Sequence, residues 1–476
     1  MSTFSGITTA LSSLIAQRQA LDVAGQNIAN ANTVGYTHQR AETTSVESTS
    51  RPTMFSTGLA AGNGTRVTGI TRMGDVFLDA RVRSATSGSS FQSAQAQTLA
   101  GIETSFSEPS DLGVASNLQT FWADWQNVAN TPDSSAARTV LLGDSAALVS
   151  TIAAGYRAVD TQWTQLRSTT EANVVQLNTS ATSIADLNGQ IRAITVSGGN
   201  ANELMDKRDL LVTSLSGLAG ATTQQRADGT VDVLIGGNAI VAGNRAEQVT
   251  LLGGTTMAGG IGQPPAPSAD PVRLQWTRSG TALTLEGGSM ASNIVDLKPS
   301  GALASTAAMW NDLATNVATT VNTVHQGGRG LGSPGATGLD FFSLAPGAPA
   351  ALGLAVAITD PRDIAAGDPT KGALDGSTAD RLSQLSTAAG GPDAQYRAFV
   401  VDLGVRTSAA TQRATVLEST RSTAENLQLS GASVDLDEES TNMLAYQRAY
   451  QGAARVLTTM DEMLDTLINR TGTVGR

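Results

Sequence analysis

The most regular hydrophobic pattern lies at the C-terminal end of the chain. Between residues 443 and 467, apolar side chains recur at alternating spacings of three and four residues. This period predicts one long helix with an apolar stripe on a single face, in which Glu439 is the only clear misfit. The stripe consists of Leu436, Met443, Tyr446, Tyr450, Ala453, Leu457, Met460, Leu464 and Leu467.

The start of this helix is also specified. Asp435 stands at the N-cap position and Glu438 follows three residues later, which is the pattern of a capping box. We interpret the acidic residues of this first turn, Glu439 included, as solvated groups that complement the helix dipole rather than as a cation site.

The N-terminal end carries a weaker version of the same pattern. Residues 4–28 predict an amphipathic helix whose stripe Arg18 and Gly25 interrupt. Asn30, Asn32 and Gly35 then predict a turn that stops the helix. Because a lone stripe at each end would face water, the two stripes are expected to pair with each other or with other copies. The N-terminal stripe consists of Phe4, Ile7, Leu11, Leu14, Leu21 and Ile28.

Most of the intervening chain also has helical periodicity. Thr131-Pro132 looks like an N-cap followed by a first-turn proline. The glycines at 58–64 followed by the alternating run at 65–72 predict a hairpin or short strands. Between residues 150 and 195 the heptad pattern is the cleanest of the first half. The predicted helices are one starting near Asp75, then 136–149, 150–195, 201–218, 302–325 and 378–428.

In the middle of the chain, the spacing of the apolar residues changes from the helical period to strict alternation. Val231, Val233 and Ile235 alternate with polar residues, and a Gly-Gly-Asn turn and a second strand follow. Together with further alternation up to Leu285, this predicts a small β domain over residues 220–298.

These elements predict an α+β chain that is mostly α. Long helices from both chain ends are expected to pack as a coiled coil or bundle, with the β domain inserted at the far tip. The predicted division is a terminal core of 1–70 and 431–476, a helical bundle of 71–219 and 299–430, and the β domain of 220–298.

Composition narrows the chemistry. The net charge is −11 and there is no run of Lys or Arg, which argues against nucleic-acid binding. The absence of cysteine excludes disulfides, zinc–thiolate sites and thiol catalysis. His38 and His325 are the only histidines and are interpreted as surface or loop residues. We therefore predict no enzyme and no catalytic, cofactor-binding or metal-binding residues.

Targeting signals are also missing from the N-terminal stretch. Its first basic residue is Arg18, and its apolar residues are periodic rather than continuous. A Sec signal peptide and a membrane span are therefore not expected.

Two terminal stretches resemble the flagellar rod, hook and hook-associated proteins. One is DVAGQNIANANTVGYTHQR (22–40), and the other is VDLDEESTNMLAYQRAYQGAARVLTTMDEMLDTLINR (434–470). The interior stretches at 121–149 and 202–243 resemble the hook-associated members at the hook–filament junction.

This resemblance implies a structural role in assembling the flagellum. It implies that the chain ends form an inner tube, together with contacts to other copies, to hook protein and to a second hook-associated junction protein. It also implies an export chaperone and the type III export apparatus, so that the protein lies outside the cell. Besides the two stripes, Asn27, Asn30, Gly35 and Tyr36 of the 22–40 stretch, here named the N-terminal signature, are expected at the assembly interface.

Two other interpretations stay open at this point. One is a hook or distal rod protein, although the interior MDKRDLL segment (205–211) argues against it. The other, from a different class, is a secreted adhesin or binding module whose β domain contacts a ligand.

Overall fold

The fold is built mainly from long helices. The computed structural model describes residues 3–47, 54, 62–106, 108, 110–332, 335–372 and 374–469. The helices are α1 (Thr3–Asn30), α2 (Val76–Phe106), α3 (Val114–Asn130), α4 (Ser135–Val196), α5 (Asn202–Ala219), α6 (Met257–Ile261), α7 (Ser289–Leu297), α8 (Ala302–His325), α9 (Ala350–Gly353), α10 (Ser377–Ser383), α11 (Pro392–Ala432) and α12 (Leu436–Asn469).

The strands form four small antiparallel sheets, and the predicted α+β, mostly α, class is confirmed. The sheet orders are β1–β2, β3–β4–β5–β6, β7–β8–β9 and β10–β11. The strands are β1 (Gln39–Ser45), β2 (Thr65–Arg72), β3 (Thr222–Gln225), β4 (Val231–Ile235), β5 (Asn238–Ala242), β6 (Arg245–Ala246), β7 (Val249–Leu252), β8 (Arg273–Trp276), β9 (Ala282–Leu283), β10 (Phe342–Leu344) and β11 (Leu354–Val356).

Helix α4 is the central element, and it unites two segments that the sequence predicted separately. It runs for 62 residues without a break. Its N-cap is Ser134, whose side chain accepts a hydrogen bond from the Ala137 N–H at 3.2 Å. The predicted start at Thr131-Pro132 is therefore wrong, because the Thr131 N–H instead closes the end of α3 on the Asn127 carbonyl.

Part of α4 is long and apolar enough to cross a membrane by length and composition. A core helix passes the same test, and most of the buried apolar side chains of α4 lie in two hydrophobic clusters of this fold. The first cluster surrounds the N-terminal half of α4, together with α3, α8 and the adjoining ends of α2 and α11. Its largest buried side chains include Trp125, Trp163, Trp310, Phe121 and Phe341.

Helix packing in the first cluster uses a glycine notch. The ring of Trp310 lies directly on the backbone of α4 at Gly155, where any added Cβ would collide with the indole. The same indole stacks on Phe106 with ring centroids 4.9 Å apart. A few aromatic residues set against glycine thus make a dense core from a chain that has only 4% aromatic residues.

The second cluster covers the C-terminal half of α4 with α5, α7 and the strands β4–β9. Asn188 of α4 joins this sheet to the helix: its side-chain nitrogen donates to the Val231 and Gly243 carbonyls at 2.8 and 2.7 Å. Asn188 also accepts from the Val231 N–H at 3.2 Å.

The sheet of β3–β6 and the chain ends are both in contact with helix α5. Helix α5 contacts both regions: Arg208 donates to the Gly229 carbonyl at 2.9 Å, and Asp206, two residues earlier, accepts from the Thr37 N–H at 3.2 Å. The apolar face of α4 continues past Trp163, and its side chains there must be buried against other elements. The sheets supply that cover, and the opposite end of the body is occupied by the first cluster.

Two pairings connect the body to the chain ends. Helix α2 runs antiparallel to α11: Gln428 bonds Asp79, the Ser89 hydroxyl bonds Glu418 at 2.8 Å, and Phe106 lies against Phe399. Strand β2 pairs with β1 from Gln39–Arg72 to Ser45–Thr65. The alternating run at 65–72 therefore does not form a local hairpin, and residues 58–61 of that prediction lie outside the described residues.

His325 is a core residue, so its interpretation as a surface or loop histidine is wrong. Its ring is fully buried at the end of α8. Nδ1 donates to the Leu339 carbonyl at 2.7 Å, and Nε2 accepts from the Ala365 N–H at 2.9 Å. Burial lowers the pKa of His325, and the neutral ring satisfies both bonds and holds two loops on the core.

Asp296 of α7 gives the body a measurable pH dependence. Burial raises the pKa of this carboxyl from 3.8 to about 6. A raised carboxyl pKa favours folding below the unfolded value, and this contribution is lost as the pH rises from about 4 to about 6. Asp296→Asn should therefore raise the stability at pH 7.5, by up to about 3 kcal/mol.

The measurement is urea unfolding of both proteins at several pH values from 4 to 8. The exposed Asp312 of α8 supplies the control, and Asp312→Asn should leave the profile unchanged. If Asp296→Asn and the unaltered protein show the same dependence of stability on pH, the raised pKa of Asp296 is contradicted.

Candidate assembly site at the joined chain ends

The two ends of the chain meet in one antiparallel helix pair. Helix α1 packs along α12, with Gly6 against Met460 at one end and Asn27 bonded to Glu439 at the other. Gly6 leaves room for the Met460 side chain, which an added Cβ would touch at 2.7 Å. The predicted pairing of the two terminal helices is therefore present within one chain.

The buried face of α1 differs from the stripe predicted for it. Its buried residues are small: Ala10, Ala16, Ala20, Val23 and Ala24, next to Asn27. Small side chains let two helices approach closely. The larger residues of the predicted stripe lie beside or opposite this face: Leu11 is exposed, and Ile7, Leu14, Leu21 and Ile28 are half-buried. The side chain of Phe4 lies outside the described residues.

The stripe predicted for α12 agrees better with the buried face of its helix than the stripe predicted for α1 does. Ala453 is buried, Leu436, Tyr450 and Leu467 are exposed, and the others are half-buried. The half-buried members are Met443, Tyr446, Leu457, Met460 and Leu464.

The prediction that Glu439 is a solvated acid is also wrong. This residue is 3% exposed, and its carboxylate receives the Asn27 side-chain amide at 3.2 Å and His38 Nε2 at 2.9 Å. The predicted solvated acid is thus a buried acceptor that ties α12 to the N-terminal signature. His38, interpreted as a surface or loop residue, is its partner. The sequence did contain one signal of this role, namely a charged residue on an apolar stripe. A charge in such a position is tolerated when a buried partner is hydrogen-bonded to it.

Asn27 is the centre of this arrangement. Its side-chain nitrogen also donates to the Gln39 carbonyl at 2.8 Å, and its oxygen accepts from the Gln39 N–H at 3.1 Å and from the Tyr36 hydroxyl at 2.8 Å. With Glu439, this uses both donors and both lone pairs of the amide. Burial, followed by the nearby carboxylates, raises the pKa of Tyr36 to about 12, so the phenol stays neutral and donates.

The turn after α1 positions these side chains. Asn30 donates to the Gln26 carbonyl at 3.0 Å, one turn back in the helix. Gly35 has a φ of +82°, a conformation that residues with a Cβ rarely adopt. The predicted helix stop at Asn30 and Gly35 therefore coincides with the end of α1.

The signature is fixed to the body through α5. Arg72 of β2 forms ion pairs with Asp206 at 2.7 Å and with Asp209 at 3.0 Å. Asn202 donates to the Gln39 side-chain oxygen at 3.0 Å and to the Ile70 carbonyl at 3.1 Å.

This contact gives the interior MDKRDLL segment a position next to the signature. The sequence did not predict the contact, because nothing along the chain indicates that strand β2 brings Arg72 to α5. Among the described residues, no cluster of three or more metal-ligating side chains is present.

Three family models match the chain. The model described as "Flagellar hook-associated protein FlgK helical domain" matches residues 99–342, which is just over half of the chain. The chain belongs to the FlgK family of flagellar hook-associated proteins. One of the other two models covers most of α1 and part of the N-terminal signature, and the other covers α12. "Flagella basal body rod protein" matches residues 7–37, and "Flagellar basal body rod FlgEFG protein C-terminal" matches 428–470.

Curated relatives of the FlgK family match along their whole length. A flagellar hook-associated protein 1 from Bacillus subtilis is 28% identical over 100% of this chain and 100% of its own. The protein of that name from Escherichia coli is 28% identical over 97% of this chain and 99% of its own. The predictions of a hook-associated protein and of a structural role at the hook–filament junction are confirmed.

A solved structure has the same fold. The flagellar hook junction protein FlgK from Burkholderia pseudomallei aligns with a TM-score of 0.61 at 16% identity, over 74% of this chain and 100% of its own. At that identity the likeness supports the fold alone.

Proposed function

We propose that the α1–α12 pair is the surface through which copies of this FlgK-family chain assemble at the hook–filament junction. The observation that supports this is the distribution of side-chain sizes. On the α1 side the pair uses small residues for its own contact, and both helices leave large aliphatic residues outside. Leu11 and Ile15 of α1 are 49% and 58% exposed, and Leu444 and Ile468 of α12 are 53% and 74% exposed.

Such a surface favours association. Covering one large aliphatic side chain contributes about 1.5–3 kcal/mol, and several are exposed on each copy. Leu11 and Ile15 lie one turn apart on α1, and neighbouring exposed apolar side chains of this kind are typical of an interaction site. The residues predicted from the two stripes, together with Asn27, Asn30, Gly35 and Tyr36, are proposed to form or position this interface.

The proposal extends to partners and location. The family places the chain in the flagellum, in assembly with hook and filament components. We propose that it contacts hook protein on one side and a second hook-associated junction protein on the other. We further propose that a chaperone and the type III apparatus export it, that it acts outside the cell, and that it has no catalytic role. The three-part domain division predicted from the sequence belongs to the same proposal.

The test is electron microscopy of a strain that lacks the gene, with flagellin measured in the medium. Hooks without filaments and flagellin lost to the medium are expected, and the unaltered gene should restore filaments. Missing hooks would instead assign the chain to hook or rod. Intact filaments would contradict the junction role.

A further inference from the structure

Helices α3 and α4 form an antiparallel hairpin that sets two carboxyl groups opposite each other. The helices are joined by the short connection 131–134, and the Asn117 side chain of α3 donates to the Thr151 hydroxyl of α4 at 3.3 Å. Asp124 lies seven residues after Asn117, and Asp144 lies seven residues before Thr151. Because seven residues make about two helical turns, Asp124 and Asp144 face each other on the same side of the hairpin.

The carboxyl group of Asp124 is buried and incompletely satisfied. Asp124 is 6% exposed, and its Oδ2 atom has no hydrogen-bond partner among the described residues. The group beside it is the carboxyl of Asp144, which is half-buried. Ionised carboxylates accept hydrogen bonds but cannot donate them, so the two groups cannot satisfy each other. In the described part of the chain, no lysine or arginine acts on the charge of Asp124.

The charge of Asp124 is unfavourable at neutral pH. Burial, followed by the neighbouring Asp144, raises the pKa of Asp124 to about 6. Above that pH Asp124 is ionised, and its charge is repelled by Asp144 at short range. Asn127, three residues later on α3, adjoins the same carboxyl, and rotation of its amide would turn a third oxygen toward the pair. A positive charge between these oxygens would remove the repulsion.

We propose that Asp124, Asp144 and Asn127 form a binding site for a hard divalent cation, Ca²⁺ or Mg²⁺, that holds α3 to α4. Carboxylate and amide oxygens are ligands for these cations, which commonly keep water in their remaining coordination positions. The half-buried Asp144 leaves one side of the site open to solvent, where that water can bind. The cation would neutralise both carboxylates and satisfy Oδ2 of Asp124.

The site lies in the body, and its occupation does not depend on the assembly function proposed above. It departs from the sequence prediction, which contained no metal-binding residues. The sequence could not indicate the site, because Asp124 and Asp144 lie on separate helices and only the register of the hairpin brings them together.

The first test is Tb³⁺ luminescence of the full-length chain at pH 7.5. Tb³⁺ occupies the oxygen-rich sites of Ca²⁺ and emits when a tryptophan close to it is excited, and Trp125 is adjacent to Asp124 in α3. We expect tryptophan-sensitised emission that Ca²⁺ or Mg²⁺ at about 10 mM displaces. Asp144→Asn removes a ligand and should weaken Tb³⁺ binding by at least about tenfold.

Asp133→Asn is the matched control. Asp133 is exposed in the connection between the same two helices, and this variant makes the same change of charge. It should bind Tb³⁺ as the unaltered chain does. Far-UV circular dichroism of each variant verifies that the helices are retained, and Asp144→Asn should fold without cations because it removes one of two repelling charges.

Thermal unfolding supplies an independent measurement. Ca²⁺ or Mg²⁺ at about 10 mM should raise the Tm of the unaltered chain and of Asp133→Asn by about 2–5 °C, and should leave that of Asp144→Asn unchanged. An unchanged Tm of the unaltered chain with both cations would overturn the proposal. Equal affinity of the unaltered chain and Asp144→Asn for Tb³⁺ would overturn it as well.

A proton shared by Asp124 and Asp144 is the alternative occupant. In that case neither cation changes the Tm, and lowering the pH from 7.5 to about 5.5 stabilises the unaltered chain more than Asp144→Asn. This combination of results would overturn the cation site.

Discussion

Cells that carry Leu457→Asp in place of the unaltered chain are expected to build hooks without filaments. Leu457 is half-buried on the side of α12 that faces α1. Aspartate removes the apolar contact and sets a charge against α1, which costs about 1–3 kcal/mol in each copy. The cost recurs at every position in the assembly, so incorporation should fail although each chain still folds its body.

The measurement combines filament counts with circular dichroism and thermal unfolding of the purified variant. Leu457→Met conserves volume and apolar character and should restore filaments. Normal motility of the Leu457→Asp strain would show that the α1–α12 pair is not needed for assembly.

The second large effect is expected at Asn27. Asn27→Asp keeps the shape of the side chain and removes the two N–H donors that now reach Gln39 and Glu439. It also sets a second carboxylate 3.2 Å from the buried Glu439. Leaving buried charges uncompensated costs roughly 3–5 kcal/mol, and this cost falls on the contact between α1 and the start of α12.

Asn27→Asp should therefore release α12 from α1 and abolish filament formation. Hydrogen exchange of the full chain should show faster exchange at the start of α12, with the two hydrophobic clusters unchanged. Asn30→Asp, one turn later and bonded only within its own helix and turn, is the matched control. Protection of α12 equal to that of the control would contradict this role of Asn27.

Periodic patterns predicted the long elements of this fold. The helical period of residues 201–218 and 302–325 corresponds closely to α5 (Asn202–Ala219) and α8 (Ala302–His325). The Gly-Gly-Asn turn was also found between β4 and β5. These features are local, because side-chain spacing and turn residues act within a few positions.

Contacts between residues far apart in the chain were not predicted from the sequence. Strand β2 has the alternation of a hairpin, yet its partner is β1, across residues 46–64. The face of α1 that meets α12 is made of alanines, which carry no periodic signal against the larger leucines beside them. Glu439 was taken for a solvated acid because its partners, Asn27 and His38, lie some 400 positions away in the chain.

Helix α4 has a mechanical consequence for a protein of the flagellum. Its 62 residues form a rod about 90 Å long, and the two hydrophobic clusters are built on successive halves of it. Neither cluster can rotate or slide relative to the other without bending this one rod. A junction made of such subunits resists torsion within each subunit and yields first at the contacts between subunits. Torque from the hook would therefore be absorbed at those contacts, where the exposed leucines of α1 and α12 lie.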